Sequence, residues 1–147
     1  MTIIGHEFYM RKALEQAEIA YSDNEIPVGA VIVYNNKIIA KAHNLCEKLT
    51  DFTAHAEMQV FTSASEYLNN KYLNECILYV TLEPCLMCAG ASFWTRIGGI
   101  VYGAKDPRRG YSKNSLSALH PKTIVKSGVL GNECSQLLKS FFKDKRL

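Results

Sequence analysis

The sequence predicts a single α/β domain in which helices flank a mixed β-sheet. A chain of 147 residues with 48% hydrophobic content is long enough to bury one continuous core. Short β-prone runs alternate with amphipathic stretches of about a dozen residues, a pattern typical of parallel strands joined by helical crossovers. An early hairpin adds an antiparallel edge, so the sheet should be mixed. Because no repeat or linker divides the chain, we expect one domain over residues 1–147.

The first third of the sequence predicts a helix followed by a β-hairpin. Apolar residues recur at helical spacing at Met10, Leu14, Ala17 and Tyr21. This helix should end before the turn-prone residues 22–24. Two β-prone runs follow, over residues 28–33 and 38–42. The asparagines between them tolerate the left-handed backbone that tight turns require, so the two runs should pair as a hairpin.

The middle of the sequence predicts a helix, a strand and a second helix. Asp51 or Thr53 can cap a helix over residues 54–68, and a β-rich run over residues 77–81 follows it. Pro84 suits the first turn of a further helix that ends near residue 95, because a proline there loses no intrahelical hydrogen bond.

The last third of the sequence predicts two strands and a closing helix. Residues 100–103 form a clear β-prone run, and residues 122–126 form a weaker one. The closing helix should cover residues 132–143 and turn three apolar side chains inward, Leu137, Leu138 and Phe141.

Two short motifs carry the strongest chemical signal, an H-x-E triplet and a P-C-x-x-C sequence. Cys85 and Cys88, three apart at the start of a helix, lie within reach of one ion, and the positive end of that helix favours their thiolate forms. His55 adds a third ligand, which leaves the fourth tetrahedral position of Zn²⁺ open to water, as in catalytic zinc sites. A lone C-x-x-C is more often structural zinc or a redox pair. With His55, the motif predicts one catalytic Zn²⁺ per subunit.

Glu57 is the predicted proton carrier of this site. Zinc lowers the pKa of bound water from about 16 toward about 7, and a nearby carboxylate must then move protons. Glu57 can take the proton of the water and pass it to a ring nitrogen and a leaving amine. Residues two apart do not share a face of a regular helix, so His55 and Glu57 must converge from its first turn. Together the two motifs match the signature of zinc deaminases and predict a hydrolytic deaminase.

Three segments resemble the bacterial tRNA-specific adenosine deaminases of the cytidine-deaminase-like superfamily, namely residues 51–57, 79–91 and 96–106. The similarity covers nearly the whole chain, from the opening helix to Phe141 and Phe142. It implies a three-layer α/β/α fold with a central five-stranded mixed sheet and a homodimer. It also implies hydrolysis of adenosine to inosine at the wobble position of a tRNA anticodon.

The resemblance also implies four residues beside the substrate. Asn44 falls where the family uses an asparagine against the base, and Ala56 and Glu83 occupy positions beside the pocket. An amide offers both a donor and an acceptor to a base edge, although an asparagine here can equally cap a turn. Asp106 resembles an aspartate beside the bound nucleotide, with a solvated loop aspartate as the alternative.

Two groups of basic residues predict contacts with RNA phosphates. The net charge of +3 is only mildly basic and does not by itself argue for nucleic acid. One group lies in a loop beside Tyr111 and the other on the last helix, where cations could hold phosphates while an aromatic ring stacks on a base. Short charge runs are commonly plain solvated surface, which is the alternative. The candidate contacts are Lys105, Arg108, Arg109, Lys113, Lys143 and Arg146.

Two other functions fit the same motifs. A deaminase of a free base or nucleoside, such as guanine, cytosine or cytidine, would share the metal site but have a pocket closed to polymers. A zinc-stabilised RNA-binding module without catalysis would not need Glu57.

The remaining sequence features concern compartment and assembly. The chain lacks a signal-like start and an apolar run of about 18 residues, so we expect a cytoplasmic protein without a membrane span. Five cysteines are an odd number, which argues against a disulfide framework and leaves Cys46, Cys76 and Cys134 without an assigned role. Apolar surface around Phe93 and Trp94 and on the last helix would suit a homodimer.

Overall fold

The computed structural model describes residues 3–113 and 117–145 of the chain. Within that part the α-helices are α1 (Ile3–Ser22), α2 (Ala56–Leu68), α3 (Leu86–Thr95) and α4 (Gly131–Lys145). The strands are β1 (Gly29–Tyr34), β2 (Lys37–His43), β3 (Cys76–Leu82), β4 (Gly99–Ala104) and β5 (Ile124–Ser127). A short 3-10 helix covers Tyr111–Lys113. No helix of the described residues is both long and apolar enough to cross a membrane.

The five strands form one mixed sheet in the order β2-β1-β3-β4-β5. Strand β1 runs antiparallel to both β2 and β3, whereas β4 runs parallel to both β3 and β5. Asn35 and Asn36 connect β1 to β2 with positive φ angles of 50° and 61°, the backbone of a tight hairpin turn. The predicted mixed sheet and its early hairpin are therefore confirmed.

The sheet is covered by helices on both faces. Side chains alternate along β1, so Ala30 and Ile32 join a core beneath α2, whereas Val31 and Val33 join a second core beneath α1. Helix α4 contributes Cys134 to this second core. Helices α1 and α4 thus lie on one face and α2 and α3 on the other, which confirms the three-layer α/β/α fold.

Helix α1 approaches the start of β1 very closely at Gly29. A Cβ atom built on Gly29 would lie 2.1 Å from the carbonyl oxygen of Ala13 and 2.4 Å from the amide nitrogen of Ala17. Both alanines are fully buried. Only a residue without a side chain allows the helix to lie this close to the strand.

The start of α2 differs from its prediction. The helix begins at Ala56 with His55 as N-cap, and neither Asp51 nor Thr53 caps it. Asp51 instead accepts hydrogen bonds from the amide N–H and the hydroxyl of Thr53, at 2.8 and 2.7 Å, and so closes a local turn. This local bonding removes both predicted caps from the helix.

Two further boundaries differ from the predictions. Pro84 was expected in the first turn of α3, but that helix begins at Leu86 and its N-cap is Cys85, so the proline precedes the helix. The last strand begins at Ile124 and not at residue 122, because Thr123 N–H bonds the carbonyl of His120 in a turn.

Candidate metal centre

The three predicted metal ligands lie together where α2 and α3 begin. The Nδ1 atom of His55 lies 3.4 Å from the Sγ atom of Cys88 and 3.7 Å from the Sγ atom of Cys85. One ligand atom from each residue lies within 4.8 Å of the other two. Within residues 3–113 and 117–145, no other group of three His, Cys, Asp or Glu residues has ligand atoms this close.

The two helix starts explain why these side chains meet. His55 is the N-cap of α2 and Cys85 is the N-cap of α3, and neither side chain makes a capping hydrogen bond to its own helix. Cys88 follows in the first turn of α3 and is 1% exposed. The positive ends of both helices therefore face the cluster, which stabilises thiolates there.

The donor set of the cluster fits a single tetrahedral ion. Zn–S bonds of about 2.3 Å and Zn–N bonds of about 2.1 Å place ligand atoms about 3.6 Å apart around a tetrahedral centre. The two sulfur to nitrogen distances, 3.4 and 3.7 Å, lie on either side of this value. Two thiol sulfurs and one imidazole nitrogen are also the donors that zinc prefers. The cluster could therefore hold a metal ion such as Zn²⁺.

Hydrogen bonds within the cluster lower the pKa of one of its two thiols. The pKa of Cys85 is lowered to about 4, chiefly by the hydrogen bond from the Cys88 thiol, with His55 as a further donor. The same hydrogen bond raises the pKa of Cys88, which keeps its proton. The pKa of His55 is raised, chiefly by its hydrogen bond with Cys85. The lowered pKa of Cys85 favours its thiolate, the form that binds metal.

Glu57 is buried at the edge of the same cluster. Its side chain is only 4% exposed, and its carboxyl hydrogen-bonds the thiol of Cys88. Burial raises the pKa of Glu57 to about 7. His55 has extended backbone angles, with φ −71° and ψ 152°, so the two side chains converge although they are two residues apart. A carboxyl group that titrates near neutrality can both accept and release a proton.

Asn44, predicted at the substrate base, uses its amide to join the end of the hairpin to α2. Its Oδ1 atom accepts a hydrogen bond from the N–H of Ala56 at 2.9 Å, and its Nδ2 atom donates to the carbonyl of Ile26 at 3.1 Å. Asn44 therefore satisfies a free N–H at the start of α2, a task that a local N-cap residue often performs. Ala56, also predicted beside the pocket, is completely buried at this helix start.

Glu83 and Asp106, the other two residues predicted near the substrate, both hold the loop that follows β4. Glu83 is 3% exposed, and its carboxylate accepts hydrogen bonds from the N–H of Asp106 and from the N–H and hydroxyl of Ser112. The Oδ1 atom of Asp106 accepts from the N–H groups of Arg108 and Arg109, both at 3.0 Å. Contact of either acid with a substrate stays a prediction.

The predicted phosphate contacts fall into two places. Lys105, Arg108, Arg109 and Lys113 are exposed on residues 105–113, called the basic loop below. Lys143 is exposed on the last turn of α4, which the hydrogen bond of Tyr21 to Asp144 holds beside the end of α1. Arg146 lies outside the described residues.

Glu25 is a buried acid beside the site that sequence reasoning missed. It is 1% exposed and accepts hydrogen bonds from the N–H groups of Glu47 and Lys48, at 2.9 and 2.8 Å. These bonds fix the loop after Asn44. The only sign of Glu25 in the sequence is its position directly before the apolar residues that lead into β1. A charged residue in that position is equally compatible with a solvated turn.

Known proteins match this chain over nearly its full length. Residues 4–146 match the MafB19-like deaminase family. The tRNA-specific adenosine deaminase of Bacillus subtilis (strain 168) is 43% identical over 145 residues, which cover 95% of this chain and 90% of that protein. The protein of the same name from Aquifex aeolicus (strain VF5) is 43% identical over 147 residues, 97% of each chain.

A solved structure shares the fold of this chain. It comes from biochemical and structural studies of A-to-I editing by tRNA:A34 deaminases at the wobble position of transfer RNA. Its TM-score is 0.84 at 39% identity, and the match covers 89% of this chain and 99% of that chain.

Proposed function

Because this chain belongs to the MafB19-like deaminase family, we propose that it hydrolyses adenosine to inosine at the wobble position of a tRNA anticodon and releases ammonia. The observation that supports this most directly is the convergence of His55, Cys85 and Cys88 beside the buried Glu57. Relatives that match over nearly the full length are named tRNA-specific adenosine deaminases, which favours tRNA over a free base. We also propose a cytoplasmic location, where such an enzyme would encounter tRNA.

The proposed metal is Zn²⁺, one ion per subunit, held by His55, Cys85 and Cys88. When bound there, zinc would supply a Lewis acid that lets water ionise near neutral pH. Glu57 would take one proton from the attacking water and deliver it to the purine ring nitrogen, which keeps it in inosine. It would then move the second proton of that water to the amine, which leaves as ammonia. Its burial beside Cys88 supports this role, because it places a carboxyl group at the edge of the cluster that would hold the ion.

The proposed RNA contacts surround this centre. An unpaired base of an anticodon loop is cheap to flip out of its stack, and we place the flipped adenine beside Asn44, Ala56, Asp106 and the loop that Glu83 holds. Asn44 would act there through the helix start that it fixes, since its amide already bonds Ala56 and Ile26. The proposed phosphate contacts are Lys105, Arg108, Arg109, Lys113, Lys143 and Arg146.

The proposed assembly is a homodimer that uses the outer face of α3. Leu86, Met87 and Trp94 are 51%, 37% and 77% exposed and lie on the face of α3 opposite the buried Cys88. With Gly90, where an added Cβ would lie at least 4 Å from every described residue outside its own stretch of helix, they form a continuous surface, called the α3 stripe below. Apolar side chains around a small residue suit close packing against a second copy.

Side-by-side deamination assays test the proposed substrate. The zinc-loaded protein is incubated with tRNA, adenosine, guanine, cytosine and cytidine, and ammonia release is followed together with inosine formation in the RNA. We expect turnover on tRNA that weakens steeply as salt rises, because phosphate contacts release counterions. Turnover on free bases or nucleosides alone would show that these compounds, and not tRNA, are the substrate. RNA binding without any turnover would support the non-catalytic module.

A further inference from the structure

The basic loop is tied to a single buried carboxylate. Glu83 lies directly after β3 and is 3% exposed. Its Oε1 atom accepts the N–H of Asp106 at 3.1 Å, near one end of the loop. Its Oε2 atom accepts the N–H and the hydroxyl of Ser112 at 3.0 and 2.5 Å, near the other end. One carboxylate therefore closes the loop by bonding both of its ends.

Gly110 lies directly against this carboxylate. A Cβ atom on Gly110 would lie 2.3 Å from the Cδ atom of Glu83 and 2.5 Å from both carboxylate oxygens. A side chain at position 110 would therefore force the carboxylate of Glu83 to move. The side chain lies beneath the loop backbone and not in an open pocket.

The same loop is joined to the metal centre. Gly110 pairs with Cys85 in an isolated β-bridge, and the N–H of Tyr111 donates to the carbonyl of Pro84 at 2.9 Å. Glu83 and Pro84 directly precede Cys85 in the chain. The position of the loop is therefore fixed relative to a predicted metal ligand.

We propose that Glu83 is a positioning residue, which holds the cations of the basic loop beside the metal centre so that they can bind the RNA backbone. This inference rests on the proposed function, because it takes RNA as the ligand of those cations. Both oxygens of Glu83 already bond loop donors, so its effect on substrate is indirect. Lys105, Arg108, Arg109 and Lys113 all lie between or beside the two attachment points.

Two substitutions remove this attachment in different ways. Glu83→Gln replaces one acceptor oxygen by an NH₂ donor, which then faces an N–H or hydroxyl donor of the loop. Gly110→Ala keeps Glu83 but places a methyl group where its carboxylate lies. Glu25→Gln is the matched control, because Glu25 is equally buried and also bonds two backbone N–H groups, but in the other loop.

Limited trypsin cleavage of the zinc-loaded proteins measures the loop directly. Trypsin reaches the bonds after Arg108 and Arg109 only when the loop opens. Because the loop should open more often in both Glu83→Gln and Gly110→Ala, we expect cleavage there to be about tenfold faster or more. Cleavage after Lys37, the exposed first residue of β2, should stay at the wild-type rate, and so should loop cleavage in Glu25→Gln. Unchanged loop cleavage in both variants, or cleavage that rises equally at Lys37, would overturn the anchoring role.

Binding of a synthetic anticodon stem-loop RNA then tests the purpose of the anchor. Affinity should fall about tenfold in both variants, and the slope of log Kd against log salt should become shallower by about 0.7 to 0.9 per lost phosphate contact. Zinc content should stay near that of the wild type. A mobile loop with unchanged RNA affinity and salt slope would overturn the proposal. If wild-type protein neither binds nor deaminates RNA, the proposed function fails by itself, while trypsin cleavage still decides whether Glu83 anchors the loop.

Discussion

At the scale of single residues, backbone conformation decides which side chains reach the candidate metal centre. His55 and Glu57 are two residues apart and would point to different faces of a regular helix. His55 is instead the extended N-cap of α2, so its imidazole turns toward Cys85 and Cys88 while Glu57 approaches Cys88 from the first helical turn. The short H-x-E spacing therefore works because the first residue lies outside the helix.

Glu57→Gln should abolish most turnover while the metal stays bound. The amide keeps the size of the side chain but cannot carry the proton, so kcat should fall by about 10² to 10⁴. Deamination rate and zinc per chain are measured on the same preparation, with Glu66→Gln on the exposed side of α2 as the control. A fully active variant would remove Glu57 from the reaction, and loss of zinc would make it a ligand.

Cys88→Ala should lower metal content and activity together. The substitution leaves one sulfur and one nitrogen, which hold a tetrahedral ion far less tightly than three donors. Cys46→Ala is the control, because Cys46 is a partly exposed free thiol outside the cluster and should keep both zinc and activity. Zinc content is measured by inductively coupled plasma mass spectrometry. Full occupancy in Cys88→Ala would show that the ligand set is wrong.

At the scale of elements, side-chain periodicity predicts which segments are helices and strands better than where they begin. The runs of apolar residues over α1, the hairpin and β3 are local properties of the chain, and the predicted elements are present. The start of α2 depends on a distant residue, because the side chain of Asn44, 12 residues earlier, accepts the hydrogen bond of the Ala56 N–H. Glu25 likewise bonds residues 22 and 23 positions away.

Gly29→Ala should destabilise the packing of α1 on the sheet. The added methyl group would lie 2.1 Å from the backbone of Ala13, so the helix must shift away from β1. We expect the free energy of unfolding to fall by about 1 to 3 kcal/mol, as for other overpacked cores.

Gly99→Ala is the matched control for this helix contact. Gly99 is also buried at the start of a strand, but its added Cβ would have no neighbour closer than 3.5 Å. Its unfolding free energy should stay within about 1 kcal/mol of the wild type. Chemical denaturation followed by circular dichroism measures both variants. Equal stability of the two would mean that α1 accommodates the methyl group.

At the scale of the whole molecule, the three layers place the starts of α2 and α3 at the metal cluster and leave the α3 stripe uncovered. Trp94 is 77% exposed on this stripe, whereas Cys88 on the opposite face is 1% exposed. One helix thus presents a predicted metal ligand on its inner face and an apolar surface on its outer face. The proposed dimer would lie directly against the element that carries two ligands.

Trp94→Lys should convert the proposed dimer into a monomer at micromolar concentration. Two copies of the α3 stripe would bring two like charges together in an apolar interface, which is costly without partners. Sedimentation velocity measures the mass of the wild type and the variant. Phe8→Lys is the control, since Phe8 is 54% exposed on α1 in the opposite layer. A monomeric wild type or a dimeric Trp94→Lys protein would contradict this interface.

The chemistry of the candidate site is predictable from the sequence alone. The residue types of H-x-E and P-C-x-x-C limit the ligands and the proton carrier to a few positions, and hydrophobic periodicity predicts a helix-flanked mixed sheet. How those positions are held becomes visible only in the folded chain. Asn44, Glu25 and Glu83 satisfy backbone N–H groups 12 to 29 residues away along the chain. Such bonds leave no periodic pattern in a sequence, because they depend on which loops the fold brings together.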